Sequence, residues 1–178
     1  NEDQSQLLES IEISGKSLLS LVNDILDLSK IEAGKFEINY APFDLAMLLY
    51  EIESIFMARS RNSGLKFNIK QVELTHKIWG DGKRIGQILI NLLSNAVKFT
   101  EQGHVTLTVS LDKSLYFSVE DTGIGMNKEA LDRLFQPFEQ ANSTISQRFG
   151  GTGLGLHISW SLAELMKGEI QVSSQEGE

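Results

Sequence analysis

A chain of 178 residues with 41% hydrophobic content is long enough for one globular domain with an attachment and a sizeable core. Its 16 Lys and Arg against 24 Asp and Glu give a net charge of −8, which argues against broad binding to nucleic acid or anionic membrane and makes any phosphate site a local one. The lack of cysteine excludes disulfides and thiolate metal sites, no apolar run approaches the roughly 18 residues that span a bilayer, and the acidic start NEDQSQ is no signal peptide, so the chain reads as soluble.

From Asp3 to about Ala33 there is no proline, and Leu7, Ile11, Ser14, Leu18, Leu21, Ile25 and Leu28 alternate four and three apart, the spacing of a coiled-coil seam. Leu8, Leu19, Val22 and Leu26 form a second stripe beside it. So wide an apolar face on a helix of about 45 Å suits a four-helix bundle and needs partner helices. ISGKS within it is no phosphate loop, because the first glycine of that motif falls on Ser10 and the setting is mid-helix. Gly34 ends the helix.

The remainder reads as α+β. Phe36 to Asn39 is expected as a short strand, Pro42 punctuates a linker, Asp44 caps a helix to about Arg61, and LKFNIK alternates as a strand. A helix from about Asp81 to Phe99 follows, and HVTLTVSL and SLYFSVED form an antiparallel hairpin around Asp112–Lys113. Asn127 caps a short helix, residues 134–151 are irregular, a helix runs from about Gly153 to Lys167, and EIQVSS is a last strand.

Three features suggest chemistry. On the helix ending at Phe99, most of the circumference is apolar, and the compact polar stripe left is Arg84, Gln87, Asn91, Asn95 and Lys98. Asparagine forms helices poorly, so Asn91, Asn95 and Lys98 projecting together read as a pocket wall with oxygens for a hard cation and an ammonium for a phosphate, against an ordinary polar face. Alternation of Leu115, Phe117 and Val119 points Asp121 inward, just before TGIGM; there it either accepts from an adenine amine or caps its own turn. Finally, RFGGTGLGL places four glycines in six positions before a helix, bare backbone suited to phosphate oxygens or to a flexible turn. Together they make a nucleotide pocket, in an order that fits neither P-loop nor protein-kinase motifs.

These stretches resemble the sensor histidine kinases. NLLSNAVKFT looks like the N box, DTGIGM the G1 box, LFQPFEQ the F box and GGTGLGL the G2 box, in the family's order and spacing, and SLLSLVNDILDLSKIEAGK is similar to the second helix of its dimerisation and phosphoacceptor hairpin. The resemblance implies a two-layer α/β sandwich with a mixed sheet, shared with gyrase, mismatch-repair and heat-shock chaperone ATPases, and a division into residues 1–34 (hairpin helix), 35–43 (linker) and 44–178 (ATP-binding catalytic domain). It implies that Asp121 accepts from adenine, with Gly123, Ile124 and Gly125 shaping the base pocket and Phe99 packing on the base. Asn95, helped by Asn91, holds Mg²⁺; Lys98 contacts phosphate; Arg148 contacts the γ-phosphate. Gly151, Thr152, Gly153, Leu154 and Gly155 lie under the phosphates. Residues 126–149 form a mobile lid anchored by Phe135 and Phe138.

The implied activity is transfer of the γ-phosphate of Mg-ATP to a histidine, for relay to the receiver domain of a response regulator. The parent is expected to be a homodimer through the helical bundle, anchored in the inner membrane with this portion in the cytoplasm. The alternative is a regulatory or scaffolding module that grips nucleotide without phosphotransfer. Two departures stand out. None of His76, His104 and His157 has the context of the family's acceptor histidine, and each reads as structural or solvated. The chain also stops at SSQEGE, where the family usually continues into a closing strand, so a fragment is expected, and without an acceptor histidine it is expected not to autophosphorylate alone.

Overall fold

The computed structural model describes residues 2–71, 78–138 and 152–177. They form α1 (Glu2–Glu32), β1 (Ala41–Phe43), α2 (Leu45–Ser63), β2 (Lys66–Gln71), β3 (Ile78–Gly80), α3 (Gly82–Phe99), β4 (His104–Leu111), β5 (Leu115–Asp121), α4 (Lys128–Arg133) and α5 (Gly155–Leu165). None of the described helices is long and apolar enough to cross a membrane.

Local signals account for most boundaries. Asp44 accepts from the Met47 N–H to cap α2, Asn127 accepts from Ala130 N–H to cap α4, and Gly64 closes α2 at φ 72°. Asp81, buried, does two jobs: Oδ1 accepts from Arg84 N–H to cap α3 and Oδ2 accepts from Asn39 N–H at 3.0 Å, tying the segment after α1 to the start of α3.

The sheet order is β2-β4-β5, with β2 parallel and β5 antiparallel to β4; β1 and β3 form a separate antiparallel pair. The mixed sheet faces α2 and α3 across one core, in which Leu49, Ile52 and Phe56 of α2 and Leu89 and Leu93 of α3 meet Phe67 of β2 and Val105, Leu107 and Val109 of β4. Phe56 is fully buried against the Phe67 ring, and truncating it to alanine costs about 3–5 kcal/mol. A second cluster joins Leu28 of α1 to Leu154, Ile158 and Leu162 at α5, with Ile31, Phe36, Ile38 and Ile88 packed against it. The C-terminal end of α1 is thus bound to the rest of the fold, whereas Leu7, Leu8, Ile11, Leu18 and Leu19 are more than half exposed.

Two expected strands are absent. Phe36 to Asn39 forms no ladder; Phe36 packs instead in the second cluster beneath the Arg84 guanidinium, and the strand begins later, at Ala41. EIQVSS also makes no ladder, and β5 is the edge of the described sheet. Alternation gave both segments strand character, but a strand also needs a neighbour.

Candidate functional site

The site is assembled where three chain segments meet at the end of α3. The carbonyl of Phe99 accepts from Ile124 N–H at 3.3 Å, which bolts the loop after β5 to the last turn of α3. Gly123 passes so close that a Cβ there would stand 2.5 Å from the Phe99 oxygen and 2.7 Å from Asp121 Oδ1. Asp121 accepts from Gly123 N–H through Oδ1 at 2.9 Å, the turn cap that its Asp-x-Gly setting allows. It is exposed at the mouth of the cavity, not buried, because β5 ends there and leaves the residue above the core. Gly125 lies against the backbone of Gln175 and Glu176, and Met126 N–H donates to Ser174 Oγ at 2.9 Å.

The polar stripe of α3 divides into two. Arg84 and Gln87 turn away from the cavity to Asp27 of α1: Arg84 Nη1 donates to Asp27 Oδ2 at 3.0 Å and Gln87 Nε2 to the same oxygen at 3.3 Å. Asn91 donates through Nδ2 to Ser159 Oγ of α5 at 2.9 Å, and its amide occupies the space a Cβ on Gly155 would fill. Asn95 and Lys98 line the cavity with Asn91 and Phe99. Lys98 Nζ sits 4.9 Å from the Phe99 ring centroid, and burial holds its ammonium below the usual lysine range.

The glycine segment supplies the floor. Thr152 Oγ1 accepts from Leu154 N–H at 3.2 Å, Leu154 is buried, and α5 begins at Gly155 with no side-chain cap hydrogen bond. Thr152, Gly153, Gly155 and Leu156 line the cavity. Of the two expected anchors, Phe135 is half-buried and its carbonyl accepts from His157 Nδ1 at 2.8 Å. The Phe138 side chain is 68% exposed, so it anchors through its backbone, whose N–H donates to the Gly153 carbonyl at 3.1 Å. Arg148, Gly151, His76 and residues 139–149 of the expected lid lie outside the described residues.

The cavity measures about 1540 Å³, more than the 300–1,000 Å³ usual for a ligand site, because it continues from Asn95 and Asp121 along the open edge of β5 to residues 168–174. Ser20 and Asp24 of α1 form its far wall, a contribution with no sequence signal beyond two polar positions on an apolar helix. Burial and the neighbouring Asp27 hold the Asp24 carboxyl above the ordinary aspartate range. Among the described residues, no group of three or more His, Asp or Glu is gathered to hold a metal.

Two family models match the chain. Residues 80–178 match the histidine kinase-, DNA gyrase B-, and HSP90-like ATPase, and residues 1–34 match the His Kinase A (phospho-acceptor) domain. The chain is 40% identical over 185 residues to the autoinducer 2 sensor kinase/phosphatase LuxQ of Vibrio parahaemolyticus, covering 99% of the chain and 22% of the relative. It is 38% identical over 179 residues to the aerobic respiration control sensor protein ArcB of Escherichia coli, covering 98% and 23%. The chain therefore spans about a fifth of the length of these curated relatives. Among solved structures, ShkA in complex with AMPPNP superposes with a TM-score of 0.82 at 35% identity over 99% of this chain and 37% of that one. The Acinetobacter baumannii histidine kinase AdeS superposes at 0.77 and 27% identity over 96% and 79%.

Proposed function

The chain belongs to the histidine kinase family, and we propose that its cavity binds Mg-ATP and presents the γ-phosphate to a histidine on a separate helix. The observation that carries this is the convergence of Asp121, Asn95, Lys98 and the uncapped start of α5 on one cavity, fixed in register by the bond from Ile124 to the Phe99 carbonyl.

The donor set fits the nucleotide. With Asp121 Oδ1 given to Gly123, Oδ2 is the oxygen for the exocyclic amine of adenine, and the Phe99 ring is the apolar surface for the base. Asn95 offers an amide oxygen to Mg²⁺. Asn91 spends its nitrogen on Ser159 and keeps its oxygen for the cation's shell. Mg²⁺ held by these amide oxygens would supply positive charge to offset the charge that develops on phosphoryl transfer. A phosphate beside Lys98 favours the ammonium that burial disfavours, and the first-turn N–H groups of α5 hold phosphate oxygens. Arg148 and Gly151 complete the phosphate contacts in this reading.

Residues 1–34, which match the phospho-acceptor model, contain no histidine; His104 is exposed on β4 and His157 is engaged with Phe135. None of the three histidines, His76 included, lies on α1, and in this reading the acceptor belongs to another helix, which the exposed apolar face of α1 would pair with in a dimeric bundle. Residues 44–178 act as the catalytic unit, 35–43 as the linker, and the parent is a membrane-anchored sensor that relays phosphate to a response regulator.

The test is incubation of the chain with γ-labelled ATP, alone and with a separate helix carrying an acceptor histidine. Acid-labile label on the added helix only is expected. Label on the chain by itself, or on neither partner, contradicts the proposal.

A further inference from the structure

The proposed nucleotide site is bounded by a clamp that the box residues alone do not account for. His157 lies in the first turn of α5, half-buried, with its ring 6.3 Å from that of Trp160. A carbonyl only accepts, so the 2.8 Å contact from His157 Nδ1 to the Phe135 oxygen requires the proton on Nδ1. Three residues further on, Phe138 N–H donates to the Gly153 carbonyl at 3.1 Å, and Phe138 takes φ 64°, a left-handed conformation that a bulky residue holds only when its surroundings impose it. Residues 135–138 are thus strapped at both ends to the segment 153–157, whose Gly153, Gly155 and Leu156 line the cavity.

We infer that His157 is a positioning residue for the nucleotide: its Nδ1–H fixes the 135–138 segment on the start of α5 and so sets the backbone N–H groups that receive phosphate. The claim rests on the nucleotide reading above, but the clamp itself is a property of the free protein. Nothing about His157 requires it to touch a ligand. A leucine fills the same space without a donor, whereas an asparagine carries its amide nitrogen near the place of Nδ1 and can remake the bond.

The experiment compares wild type, His157→Leu and His157→Asn in the full chain. Without nucleotide, amide exchange at Phe138 should quicken by about fivefold or more in His157→Leu, the loss expected for one hydrogen bond, and stay near wild type in His157→Asn. In calorimetry with Mg-AMPPNP, His157→Leu should weaken binding about fivefold and His157→Asn should restore it. Wild-type exchange at Phe138 in His157→Leu, or an asparagine variant as impaired as the leucine one, overturns the inference. Failure of wild type to bind AMPPNP would overturn the nucleotide reading and with it the positioning role, while the exchange rates still decide whether the clamp exists.

Discussion

Arg84 Nη1 lies 3.0 Å from Asp27 Oδ2, joining α3 to α1 across 57 positions of sequence, with the guanidinium 4.5 Å above the Phe36 ring and 2.7 Å from Gln87 Oε1. Both side chains of the pair are largely buried, so the pair is not the surface kind that contributes little. Arg84→Met leaves Asp27 without its ionic partner and should cost about 1–3 kcal/mol in urea unfolding. Amide exchange should quicken around Leu28 of α1, and the core near Phe56 should keep its protection. An unchanged midpoint would show that the apolar cluster alone holds α1.

Asp24, one turn before Asp27, behaves in the opposite sense to a paired carboxylate. Its folded value is raised, first by burial and then by Asp27, so the fold favours the protonated form. The corresponding stability is present below the unfolded value and is lost as pH rises through the raised folded one. Asp24→Asn should therefore be more stable than wild type at pH 7, and the difference should shrink on acidification. Urea midpoints across pH 4 to 8 measure this, and a variant less stable than wild type at neutral pH contradicts it.

Glycine positions separate close approach from mere turn-making. At Gly123 an added Cβ meets the Phe99 carbonyl at 2.5 Å, so Gly123→Ala should cost about 1–3 kcal/mol and weaken nucleotide binding, since the loop and α3 must part. Gly15 lies within α1 with nothing within 4 Å of its Cβ position, so Gly15→Ala should instead stabilise by about 0.5–1 kcal/mol. Thermal unfolding of the two variants checks both signs at once.

Much of this was legible in the residues. The caps at Asp44 and Asn127, the hairpin around Asp112–Lys113, where Leu111 pairs with Leu115, and the start of α3 after Asp81 follow from short-range chemistry. Asn95, Lys98, Asp121 and the glycines that line the cavity were likewise visible as a set. What escaped depends on distant partners. Arg84 and Gln87 lie on the same helical stripe as Asn91 and Asn95, and only the position of Asp27 assigns them to α1. Strand parity turned Asp121 inward, but parity does not say where the core stops. The engagement of His157 with a carbonyl 22 positions away has no local signature.

The central claim, an adenine-specific Mg-nucleotide site, is tested most directly by calorimetry of the intact chain with ATP and GTP, with and without Mg²⁺. Wild type should bind ATP more tightly than GTP. Asp121→Asn should lose ATP binding while remaining folded by circular dichroism, because an amide has one accepting oxygen where the carboxylate has two. Asn95→Ala should lose the Mg²⁺-dependent part of the affinity. A folded wild type that binds no ATP, or binds ATP and GTP equally, contradicts the account.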